Sequence, residues 1–228
     1  MVLEYHEKGK LNDEMLRSFY ESLPGLEKAV KEVEQVSKIQ YPPIVFDPTL
    51  NVVRFPAATF SSAVIYASTR VNMIGETYHL CVTVSLPFLL YSKPDTLRAC
   101  LAHEFLHYVY LTIALESRSF MNLSSQRLDS PEVYIAFDET HVVKPEEWLN
   151  DSVLVDLVKN TFTPIISDKD LETAIRERWM DKGLPVKFIT GDDSRVNIPI
   201  LQVSKIPLDL RILQMASARA REGRQPKQ

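Results

Sequence analysis

The stretch C100-L-A-H-E-F-L-H-Y-V-Y-L111 carries two histidines four residues apart, His103 and His107, with Glu104 directly after the first. Residues four apart on an α-helix stand one above the other, so both imidazoles can aim a nitrogen at one metal ion. Glu104 sits about 100° around the helix from His103, where it can reach a water beside the metal without ligating it. Two neutral nitrogen ligands and one carboxylate base are what a metal-assisted hydrolysis needs, which is the chemistry behind the H-E-x-x-H pattern. The chain has only five histidines, and a chance match is on the order of one per cent or less.

The flanks supply the helix. Ser92-Lys93-Pro94-Asp95 reads as a helix start, with proline in the first turn and an acid beside the positive end of the dipole. From there D95-TLRACLAHEFLHYVYLTIAL-E116 runs without glycine or proline. The stripe carrying the histidines also holds Ala99, Cys100 and Ala114, so it is mostly small. Cys100, one turn before His103, is expected to be a small core residue.

Before this helix the chain reads as strands and, further back, as helix. IVFDP (44–48), NVVRFPAATF (51–60), AVIYASTRV (63–71) and TYHLCVTVS (77–85) are rich in β-branched and aromatic residues, and Gly75 predicts an antiparallel hairpin between the last two. Asn12 caps a helix expected to stop at Pro24 and Gly25, with a second helix over 26–39. Downstream, helices are expected over about 131–143, 145–162 and 168–182, opened at Ser130, Pro145 and Ser167, then a strand pair in VKFIT (186–190) and VNIPI (196–200) and a last helix at 208–220. The expected division is a helical lead (1–40), a core (41–165), and a C-terminal helical and strand extension (166–228) with a basic tail. Trp148 and Trp179 are expected as core anchors.

LAHEFLHYV, following a strand and a proline-started helix, resembles the active-site helix of the zincin metallopeptidases, and TYHLCVTVSLPFLL (77–90) resembles the zincin edge strand, which pairs with extended peptide substrates. The resemblance covers roughly residues 60 to 145. It implies an α+β, zincin-like fold with a small, mostly antiparallel sheet, an active-site helix, a downstream glutamate helix and extra helices at both ends. It also implies a Zn²⁺ cofactor on His103 and His107, Glu104 as general base, and a peptide or protein substrate. The metzincin continuation would place Gly at 110 and His at 113, whereas this chain has Tyr110 and Ile113. A gluzincin-like arrangement, with a glutamate from a second helix as third ligand, suits the sequence better.

The candidates for that ligand stay open. On a helix over 131–143, Val133, Ile135, Ala136, Thr140, Val142 and Val143 define a buried face with Glu139 near its centre and Glu132 two turns earlier. A carboxylate in an apolar face is costly unless paired or bound to metal, which ranks Glu139 first. Glu132 also suits the dipole of a helix start, and His141 points away from the face. Glu116, nine residues past His107 on the same helix, is too far along the axis. His79 reads as a surface residue of its strand.

Composition sets the outer limits. Hydrophobic residues are 45%, charged residues 25% and the net charge −4, so a nucleic-acid partner is not expected. Two cysteines make no disulfide framework, the first residues are too charged for a secretory signal, and the longest apolar run (80–91) is too short to span a bilayer. A cytoplasmic, membrane-free setting is the expectation. Zinc-dependent peptide hydrolysis is the expected function. A zinc-binding regulatory or interaction module with a latent site is the alternative, and the terminal segments are candidates for self-inhibition.

Overall fold

A computed structural model describes residues 1–54, 62–117, 122–123, 132–136, 141–162, 166, 168–189 and 195–222. It is a mixed α and β structure. In chain order come α1 (Val2–Glu7), α2 (Asp13–Ser37), β1 (Ile44–Asp47), β2 (Leu50–Arg54), β3 (Ser62–Ile65), β4 (Ala67–Ile74) and β5 (Thr77–Ser85). They are followed by α3 (Leu86–Tyr91), α4 (Pro94–Ser117), β6 (Asn122–Leu123), β7 (Glu132–Ala136), α5 (Pro145–Trp148) and α6 (Ser152–Thr161). The chain continues with α7 (Lys169–Ile175), prolonged by a π turn to Met180, then β8 (Val186–Ile189), β9 (Arg195–Pro199), α8 (Ile200–Val203) and α9 (Leu210–Glu222).

The histidine-bearing helix is α4, and it is the centre of the molecule. Every residue from Ala99 to Leu106 is buried, so the helix is covered on all sides over two turns. Helices α2, α6 and α9 and strands β4 and β5 pack against it. Burying each of Leu101, Phe105 and Leu106 there is worth about 1.5–3 kcal/mol in water-transfer terms. Arg98 on its first turns donates twice to the Glu32 carboxylate of α2, at 2.8 and 2.5 Å, and once to Asp95 at 2.9 Å. That fork fixes α2 against the start of α4.

Helix α2 corrects the expected break at Pro24. The Asn12 side chain does cap it, accepting from the Met15 N–H at 2.9 Å, but the helix then runs through Pro24 and Gly25 to Ser37. Phe19, Leu26, Ala29 and Val33 lie on its buried side, and packing them on the core outweighs the missing proline hydrogen bond. Lys38, at φ 62°, ends the helix in the left-handed conformation.

The β residues fall into three three-stranded sheets rather than one small sheet, among the described residues: β1-β5-β4, β3-β2-β8 and β6-β7-β9. The β4–β5 hairpin forms as expected, with Gly75 at φ 64° in its two-residue turn and Ile74 opposite Thr77. Strand β5 is not an edge. It lies between β1, parallel to it, and β4, antiparallel to it, and is buried from Leu80 to Ser85. Its continuation LPFLL forms α3, so the strand stops at Ser85. The edge on that side, among the described residues, is β4. β8 and β9 do not pair with each other: β8 runs parallel to β2, and β9 antiparallel to β7.

The segment expected to be the glutamate helix is a second correction. Residues 132–136 form β7, held between β6 and β9 with Glu132 opposite Pro199. Val133, Tyr134 and Ile135 have the side chains that strands favour, and over so short a run helical and extended patterns cannot be told apart by periodicity. Strand partners decided it. Residues 137–140, including Glu139, and the expected helix starts at Ser130 and Ser167 lie outside the described residues. Asp168 caps α7, accepting from the Leu171 N–H at 3.1 Å and from the Thr96 hydroxyl of α4 at 2.9 Å. Trp148 and Trp179 are both buried in the core. No helix among the described residues is long and apolar enough to cross a membrane.

Candidate metal and catalytic site

One turn of α4 separates the two imidazoles, and the helix delivers them to one point. The Nε2 atoms of His103 and His107 lie 3.0 Å apart, with the rings at 82° to each other. This is a hydrogen-bond distance, and two histidine–zinc bonds of about 2.0–2.1 Å at a tetrahedral ion hold their nitrogens about 3.3 Å apart, so the pair would open by a few tenths of an ångström to take one. The Nδ1 of His107 lies 2.8 Å from the backbone carbonyl oxygen of His141. A carbonyl only accepts, so Nδ1 carries the proton and, in the neutral ring, Nε2 presents its lone pair. Ligand histidines are held by this kind of outer hydrogen bond.

Glu104 takes the neighbouring side of the helix, toward β4. The Thr69 hydroxyl lies 2.8 Å from the Glu104 carboxylate Oε2 and 2.7 Å from the Glu104 carbonyl oxygen. Thr69 is buried, as are His103 and Glu104 at 7% and 6% exposure. Glu104 has no ion pair among the described residues. A buried carboxylate held by a hydroxyl is one that a nearby cation would stabilise. Behind it, the Tyr41 hydroxyl donates to the Leu101 carbonyl at 2.8 Å. Burial first, and then the Glu104 and Cys100 charges, hold the Tyr41 phenol well above its ordinary range, so it stays a donor.

Two aromatic contacts frame the pair. Phe162, the residue that ends α6, lies flat on His103, with ring centroids 3.8 Å apart and planes 8° apart. Further along α4, Tyr110 stacks on the His141 ring at 5.1 Å and 6°. The His141 ring is thus engaged with Tyr110 while its carbonyl serves His107. Cys100 is buried in the core, Glu116 is exposed at the end of α4, and half-buried His79 lies 2.7 Å, through Nε2, from the Thr77 hydroxyl.

His103, Glu104 and His107 therefore gather within one turn of α4, while a third ligand does not join them among the described residues, where no group of three or more His, Cys, Asp or Glu side chains converges. Glu132 sits on β7 and Glu139 lies outside the described residues. Thr69 and Phe162 were not anticipated. Thr69 gave no local signal, because its partner is 35 positions away in the chain. Phe162 did have one: it continues the buried stripe Leu154, Val155 and Val158 at helical spacing, which directs it toward α4. Comparison of the chain with protein-family models, with curated proteins and with solved structures finds no match.

Proposed function

We propose that the protein is a zinc-dependent peptide hydrolase of zincin-like design, acting on a peptide or protein substrate. The observation that supports this most is the 3.0 Å approach of the His103 and His107 Nε2 atoms on the same buried turn as Glu104, which has no ion pair among the described residues. His103 and His107 would hold the ion, with Glu139 or Glu132 as the candidates for a third ligand. When bound, zinc supplies a Lewis acid for the scissile carbonyl and lowers the pKa of water toward 7. Glu104, oriented at Oε2 by Thr69, accepts a proton from the attacking water and passes it to the leaving amine.

The strand order moves the expected substrate strand. Central β5 has both edges paired, so an extended peptide would lie along β4, whose Thr69 touches Glu104. A second reading, a zinc-binding regulatory module with a latent site, is favoured by the deep burial of His103 and Glu104 and by the ring of Phe162 over His103.

Metal analysis and a peptide-library digest on the same preparations separate these readings. One zinc per chain, lost in the double variant His103→Ala/His107→Ala, supports the site. Cleavage that falls by about 10²–10⁴-fold in Glu104→Gln, with zinc retained, supports the hydrolase. Zinc without cleavage of any library peptide selects the regulatory module, and wild-type protein that takes up no zinc overturns both.

A further inference from the structure

The two imidazoles of the site meet at Nε2, 3.0 Å apart, and beyond that contact a different group lies against each. His107 is fixed by a hydrogen bond from Nδ1 to the His141 carbonyl. Against His103 lies a phenyl ring, face to face, 3.8 Å away and 8° from parallel. A ring in that position takes no hydrogen bond and does not compete for the in-plane lone pair. It does resist rotation of the imidazole out of its plane.

The plate is itself firmly mounted. α6 starts at Asp151, whose side chain accepts from the Leu154 N–H at 2.8 Å. Its buried residues Leu154, Val155 and Val158 set it in the core, where it packs on α4. At the other end the Phe162 N–H donates to the Val158 carbonyl at 3.0 Å, and Phe162 forms a β-bridge with Ile166. The phenyl ring is thus tied to α4 through a whole helix rather than through a loop.

We propose that Phe162 is a positioning residue for metal binding, setting the plane of His103 so that its Nε2 faces the ion shared with His107. This rests on the zinc reading above. Outer groups that orient a ligand histidine change metal affinity by about 10–100-fold, and an effect of that size is expected for loss of the plate. The plate acts on the metal site through one ring, not through the stability of α6 in general.

The test compares zinc affinity by competition with a chelator, and the visible spectrum of the Co²⁺-substituted protein, in wild type and three variants. Phe162→Leu keeps apolar bulk but removes the plate. Its zinc affinity should fall about 10-fold or more and its Co²⁺ bands should shift. Phe162→Tyr keeps the plate and should restore both. Leu171→Ala removes a buried side chain of α7, away from the α6 mount, and should lower the melting temperature while leaving affinity and spectrum as in wild type. Wild-type affinity and spectrum in Phe162→Leu would overturn the proposal and leave the zinc reading standing, as would Leu171→Ala weakening zinc as much as Phe162→Leu. Wild-type protein that binds neither metal would remove the zinc reading itself, and the proposal with it.

Discussion

The two long helices, α2 and α4, pack side by side and obey different rules. α2 is amphipathic, with Phe19, Leu26, Ala29 and Val33 inward and charged residues such as Glu27, Lys28 and Lys31 in water. α4 has no solvated face through its middle; from Ala99 to Leu106 every side chain is buried. A polar residue on α2 therefore needs no explanation, because water satisfies it. A polar residue in the middle of α4 must be satisfied by the protein or by something bound to it. His103 and Glu104 are in that position, and this contrast, more than the motif itself, makes them functional candidates.

The contrast can be broken at three points. The largest effect is expected for Phe105→Ala at the centre of α4, where loss of a fully buried ring should cost about 3–5 kcal/mol in chemical denaturation. A loss below about 1 kcal/mol would mean that α4 is not the buried centre. A smaller loss, about 1.5–3 kcal/mol, is expected for Thr69→Val, which keeps the shape but leaves the buried Glu104 carboxylate without its hydroxyl donor. Combining it with Glu104→Gln in a double-mutant cycle should show coupling; strict additivity would mean that the two groups do not interact. The smallest effect lies on α2. Pro24 is exposed inside that helix, and Pro24→Ala should stabilise the protein by about 1 kcal/mol, the gain of a helical residue being partly offset by the freer unfolded chain. Destabilisation there would argue for a break at Pro24, as the sequence alone suggests.

What could be read in advance depended on how far each residue's partners lie along the chain. The bounds of α4, the hairpin at Gly75 and the face shared by His103 and His107 are set by residues a few positions apart, and they were legible. Pro24 misled because long-range burial of the α2 stripe outweighs a local breaker. The strand order misled because nothing in TYHLCVTVS says that β1, more than thirty residues earlier, pairs along its other edge. Residues 132–136 had strand-forming side chains and a helical projection at once, and the pairing with β9 settled which prevailed. The links that hold the site, Thr69 to Glu104 and the His141 carbonyl to His107, join residues 35 and 34 positions apart and leave no local trace. Phe162 is the intermediate case, since its place in the α6 stripe points it toward α4 without saying that it lands on His103.

On the proposed reading, the buried polar turn of α4 holds a metal. A crystal structure of the protein loaded with zinc, with anomalous data collected at the zinc edge, tests it most directly. A single anomalous peak is expected within bonding distance, about 2.0–2.1 Å, of the Nε2 atoms of both His103 and His107, with Glu104 beside it and not bound to it. A peak elsewhere, or none while the two rings keep their contact in saturating zinc, would contradict it.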